Sequence, residues 1–196
     1  MDLQTAVVFL PGLIVGLTVH EASHAITAKW LGDDTAYQMG RVSLNPMRHL
    51  SLLGTLALFV IGFGWGKPVM VNIYNFKRPR FYSLLSSLAG PVSNLLIAGI
   101  SLGILYMHPP KYLDMVFISL FMINSLLAVF NLLPIPPLDG SKIWPCLIPW
   151  MGPVVRPNWG QLWLIVLVIL LVTGAVNFVL DPVFGFLFGL LPAWVR

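Results

Sequence analysis

The sequence predicts an all-α multi-pass membrane protein: about four main transmembrane helices, a re-entrant segment and a small β-strand or hairpin element. Three observations predict it. Hydrophobic residues make up 58% of the chain and charged residues 9%, where soluble domains carry about a quarter charged. Apolar runs long enough to cross a bilayer recur along the chain. The basic residues gather in a few connecting loops, where membrane topology places them. At 196 residues the expectation is a single domain, 1–196, with no room for a sizeable soluble one.

The same composition excludes other classes. A formal charge of +4 confined to short loops is no nucleic-acid signal; the expected environment is the lipid bilayer. The single cysteine, Cys146, excludes an internal disulfide. The N-terminus has Asp2 instead of the basic stretch of a signal peptide, so the first apolar segment is expected to be retained.

In chain order, helices are expected over about 5–31, 81–107, 113–133 and 161–180. The third fades where Asn131 leads into Pro134, Pro136 and Pro137. Segment 50–64, LSLLGTLALFVIGFG, is apolar but short and broken by glycines. Segment 182–195 is also short for a span and suits the interface, with Trp194 and Arg196 as anchors. Within 67–76, Val69, Val71 and Ile73 alternate with Met70, Asn72 and Tyr74. That period of two predicts a strand, so 50–76 reads as a re-entrant and strand region.

Charge sets the expected orientation. Lys29, Arg41, Arg48, Lys67, Lys77, Arg78 and Arg80 lie between the first two helices or at their ends; Lys142 and Arg156 lie between the last two. The positive-inside rule puts 32–80 and 138–160 in the cytoplasm. Segment 50–64 must then dip into the membrane and return, or pack against the bundle.

The chemistry begins at GLTVHEASHAITAKW, residues 16–30. Glu21 is the only glutamate in the chain, and it stands between His20 and His24. Histidines four apart share one helix face and can hold one metal ion. Glu21 lies about 100° around the helix, beside the metal without having to bind it. This is the HExxH arrangement of two imidazoles on zinc and a carboxylate that accepts a proton from water. With four histidines and one glutamate, chance gives about 0.0004 such matches in a chain of this length. Ionisable groups at membrane depth are costly and read first as functional. The bland alternative is a hydrogen-bonded cluster within the bundle.

A catalytic zinc usually takes three protein ligands. His49 and His108 sit in loops, and most aspartates sit at segment ends. Asp139, in NLLPIPPLDGSKIW, is left. Pro134, Pro136 and Pro137 cannot continue a helix, and broken backbone at membrane depth is tolerated only where it is buried or lines a cavity. Asp139 follows the third helix to the side on which His20 and His24 lie. The alternative for Asp139 is a helix cap.

HEASH followed by NLLPIPPLDG resembles the site-2 proteases, intramembrane zinc metalloproteases with paired HExxH and NxxPxxxLDG signatures. SLNPMRHLSLLGTL, GWGKPVMVN and LAGPVSN are similar to compact prokaryotic members, and the resemblance extends over most of residues 16–142. It implies one Zn2+ per chain on His20, His24 and Asp139, with Glu21 as general base. It also implies Asn131 as a group that polarises the scissile carbonyl; a backbone-bonded polar residue explains Asn131 equally well. Asn94 is a weaker substrate-side candidate, since a helix contact also accounts for it.

The implied activity is hydrolysis of peptide bonds in transmembrane protein substrates at the cell membrane, with the site toward the cytoplasm. An extended substrate would pair with the strand, placing Lys67, Val69 and Val71 against it. Two rivals use the same residues: a zinc transporter or channel, and a catalytically inactive membrane scaffold. A transporter needs ligands strung through the bilayer; here they cluster at one depth. The sequence leaves the oligomeric state open.

Overall fold

The computed structural model describes residues 3–51, 54, 66–148, 150, 165–170 and 173–195. Three long helices dominate: α1 (Leu3–Trp30), then, after the short α2 (Thr35–Gln38), α3 (Pro79–Tyr106) and α4 (Lys111–Leu132). Two short ones follow, α5 (Gly140–Leu147) and α6 (Asn177–Leu190). Helices α3 and α4 are each long and apolar enough to cross a bilayer.

Helices α1, α3 and α4 pack against one another in all three pairings, α5 packs on α3, and α6 on α4. Small residues set the α1–α4 approach. A Cβ on Gly12 would fall 2.4 Å from the Ser119 carbonyl oxygen, and one on Gly16 would fall 2.8 Å from Leu127 and 2.9 Å from Asn124. Glycine at both positions lets the backbones meet, as at close helix contacts in membranes. Gly12 N–H also donates to Ser119 Oγ at 3.0 Å.

The dry core lies at one end of this bundle. Ala98 and Leu105 of α3, Phe121 and Met122 of α4, and Leu187 and Leu191 at the end of α6 form it.

The first three helices fall within a few residues of expectation. Two other expectations are corrected. The strand over 67–76 does not form: no strand occurs among the described residues, and Ile73–Asn75 is a 3-10 turn. A strand needs a partner ladder, and here side chains take that place. Glu21 accepts from Val69 N–H at 2.9 Å, Asp33 accepts from Asn72 N–H at 2.7 Å, and the Arg41 guanidinium donates to the Lys67 and Pro68 carbonyls, both at 3.3 Å. Among the described residues, the only bridge of β type is an isolated one, Leu50 to Gly66.

The expected helix 161–180 is also not continuous among the described residues. Residues 165–170 are helical, a turn occupies 173–176, and helix resumes at Asn177. Gly174 adopts φ +73 in that turn, a left-handed conformation open to glycine. The short segment expected from 182 is therefore the continuation of α6. The expected re-entrant stretch 50–64 lies almost entirely outside the described residues.

Candidate metal centre

His20 and His24 project from α1 into the gap between α3 and the chain after α4. His20 Nε2 and His24 Nε2 are 3.0 Å apart, and Asp139 Oδ2 lies 3.1 Å from each. All three residues are buried.

The chain after α4 delivers Asp139 by a local argument that starts with proline. In a continued helix the N–H groups of residues 136 and 137 would bond the Leu132 and Leu133 carbonyls. Pro136 and Pro137 have none to give, so the helix ends at Leu132. Trp144 Nε1 instead donates to the Leu132 carbonyl at 2.8 Å, folding α5 back onto the end of α4. Gly140 makes the fold-back possible, because a Cβ there would meet the Leu133 oxygen at 2.2 Å and the Leu132 oxygen at 2.4 Å. Asp139 stands at the N-cap position of α5, yet its side chain makes no cap hydrogen bond. The carboxylate turns to the histidines.

The other ring nitrogens are anchored. His20 Nδ1 lies 2.5 Å from Asn94 Oδ1, and His24 Nδ1 lies 2.7 Å from the Ser86 carbonyl. Such outer partners orient imidazoles on a metal. Both acceptors sit on α3, so its packing aims both rings.

The donor set fits zinc. Tetrahedral zinc at about 2.0–2.1 Å from its ligands spaces ligand atoms about 3.3 Å apart, close to the 3.0–3.1 Å triangle here. The space is also kept open: a Cβ on Gly90 would fall 2.4 Å from His24 Nε2 and 2.6 Å from His20 Nε2. Two imidazoles and a carboxylate are a donor set that catalytic zinc uses.

Glu21 and the three ligand candidates line a cavity of about 650 Å³. Asn131 lines it too, with its amide nitrogen bonded back to the Leu127 carbonyl at 2.9 Å. Val69 and Val71 line the cavity; Lys67 does not, and its carbonyl is held by Arg41. Asn94 is fully buried behind His20, outside the cavity.

Sequence reasoning missed Ser86, Gly90, Arg41, Asp33 and Asn124. The glycine-proline pair at Gly90–Pro91 was the available signal on α3. Asp33, one of the aspartates expected only to end a segment, is fully buried. It accepts from the Thr35 hydroxyl at 2.5 Å and from the Asn75 amide and Asn72 N–H, both at 2.7 Å. Burial pushes the Asp33 carboxyl up, but the donors from Thr35, Asn75 and Asn72 outweigh it and hold the group below its ordinary value.

Known proteins are similar to this chain. Residues 110–174 match the family described as peptidase family M50. "Putative zinc metalloprotease YwhC" of Bacillus subtilis (strain 168) is 42% identical over 183 residues, covering 87% of this chain and 82% of that protein. The chain belongs to peptidase family M50. A Rip2 protein of Mycolicibacterium smegmatis, named in the same class, is 31% identical over 87% of this chain and 69% of its own length. A Methanocaldococcus jannaschii relative, MJ0611, is 32% identical over 69% of this chain. No solved structure matches the chain. Membership in M50, the site-2 protease family, makes the protein a zinc metalloprotease with a protein substrate, and that membership together with two apolar helices of spanning length points to a membrane protein.

Proposed function

We propose that this M50 protease is a single-domain, multi-pass intramembrane endopeptidase that cleaves transmembrane protein substrates, with its site toward the cytoplasm. One observation carries the reading. The His20–His24–Asp139 triangle and Glu21 line a cavity that two helices of membrane-spanning length and composition border, α3 through Ser86 and α4 through Asn131. Arg41, Lys67, Arg80 and Lys142 gather at the same end of the bundle, which favours the cytoplasmic placement.

His20 Nε2, His24 Nε2 and Asp139 Oδ2 would hold the metal. Bound zinc supplies Lewis-acid polarisation of the scissile carbonyl and makes water a better nucleophile. Glu21 takes the proton of the attacking water at its carboxylate and passes it to the leaving amine. Its Oε2 accepts from Val69 N–H, which fixes the carboxylate at the cavity wall. Asn131 stands in the cavity as the group that steadies charge on the carbonyl oxygen.

A transmembrane substrate hides its peptide groups in its own helix, so it must unwind first. The strap at 67–72 suits the unwound form. Among the described residues, the N–H and C=O groups of Met70 and Val71 have no hydrogen-bond partner, while the strap is tethered on either side of them. An extended peptide pairs with such free backbone, which puts Val69 and Val71 against substrate.

The test is Glu21→Gln in liposomes with a model transmembrane substrate. Cleavage is expected to fall by about 10²–10⁴-fold, the range for loss of a general base, with zinc still near one per chain. Wild-type cleavage by this variant would remove Glu21 from the role of base.

A further inference from the structure

We infer that Asn124 and Asn94 form a one-way amide relay that holds a proton on His20 Nδ1, so that Nε2 is the nitrogen left to the metal. This rests on His20 being a zinc ligand through Nε2.

The relay starts at two backbone carbonyls. Asn124 Nδ2 lies 2.8 Å from the Leu120 oxygen and 3.4 Å from the Gly12 oxygen. Carbonyls only accept, so the Asn124 amide must present its nitrogen there. Its Oδ1 then faces Asn94 Nδ2 at 2.8 Å. The second hydrogen on Asn94 Nδ2 goes to the Gly16 oxygen at 3.3 Å. Both Asn94 amide hydrogens are used, and its Oδ1 is left against His20 Nδ1 at 2.5 Å. An amide oxygen cannot donate, so His20 Nδ1 carries a proton, and Nε2, 3.1 Å from the Asp139 carboxylate, is the nitrogen left to a metal.

Reversing either amide would set oxygen against the oxygens of Leu120, Gly12 or Gly16. Water cannot relieve that conflict cheaply, because Asn94 and Asn124 are both fully buried. A buried polar group with a mismatched partner carries its full desolvation cost. The relay crosses all three long helices, from Asn124 on α4 through Asn94 on α3 to His20 on α1. It depends on the glycine seam, since a Cβ on Gly16 would lie 2.9 Å from Asn124 Oδ1. Neither asparagine lines the cavity; they are positioning residues. His24 reaches the same state more simply, with Nδ1 against the Ser86 carbonyl.

The direct experiment is nitrogen NMR of the detergent-solubilised, metal-free full chain with 15N-labelled histidine, the His20 signal assigned by its loss in His20→Gln. The expected result is a protonated Nδ1, whether or not Nε2 also carries a proton beside Asp139. A neutral His20 protonated on Nε2 overturns the inference, and this holds on the native chain even if no asparagine variant folds. Zinc competition with a chromophoric chelator supplies the second readout. Asn94→Leu is expected to weaken zinc by about 10–100-fold, the usual effect of removing an outer-shell partner. Unchanged affinity in Asn94→Leu overturns the relay. His20→Ala is the separate control: retained zinc there would sink the ligand assignment whatever Asn94 does.

Discussion

At one end of the α1–α3–α4 bundle, Ala98, Leu105, Phe121 and Met122 are buried without a polar side-chain atom among them. Toward the other, His20, His24 and Asp139 are buried just as deeply, with Asn94 and Asn124 between the two regions, and every one is hydrogen-bonded. The first region depends on volume: apolar residues of similar size exchange at modest cost. The second depends on direction, because each donor must meet one acceptor and a single reversed amide propagates to His20. Function is concentrated where packing alone would not specify the arrangement.

Four substitutions press on that contrast, from the largest expected effect down. Asp139→Ala removes one corner of the 3.1 Å triangle; zinc per chain is expected to fall from near one to near zero by metal analysis of purified protein. Full occupancy would take Asp139 out of the ligand set. Gly90→Ala adds no polar group and removes none, yet its Cβ lands 2.4 Å from His24 Nε2. Zinc affinity should drop by at least about tenfold, as when metal ligands are displaced, in a chain that still folds. An unaffected affinity would mean that the metal sits away from Gly90.

Leu105→Ala tests the dry end. Leu105 is fully buried, and removing such a side chain costs about 2–5 kcal/mol. Unfolding in detergent should show that loss while zinc affinity in the folded protein stays at wild type. A matching fall in zinc affinity would join the two ends into one cooperative site and erase the comparison.

The smallest effect is at the loop that steadies the strap. Asp33 has its carboxyl held low by its donors, so its contribution to stability is full above the unfolded value of about 3.9. It is lost as pH falls through the lower folded value. Asp33→Asn should cost about 1 kcal/mol at neutral pH, typical of weakened buried hydrogen bonds. The gap to wild type should narrow as both are acidified. A gap that widens in acid would show the carboxylate to be destabilising.

Much of the site was legible because its signals are covalently local. HExxH is a helix-face statement: residues four apart meet whatever surrounds them. The prolines at 134, 136 and 137 end a helix on their own chemistry, and their effect on α4 is seen at Leu132. The strand over 67–76 was misread because alternation reports which residues suit an extended chain, not whether a partner exists. Glu21, Asp33 and Arg41 occupy the strap's backbone groups instead. The break at Gly174 was hidden in an apolar run, where one glycine reads as tolerated.

By itself the sequence determined the membrane composition, the first three helices and the four residues of the HExxH and Asp139 pattern, because composition, helical period and missing proline donors act within a few residues. Only the tertiary structure decided that Asp139 meets the histidines, that Gly90 keeps their centre open, and that Asn124 reaches His20 through Asn94. Those are contacts between groups 74 to 119 positions apart for His20 with Asn94 and Asp139, and hydrogen-bond direction across such distances is set by how three helices pack.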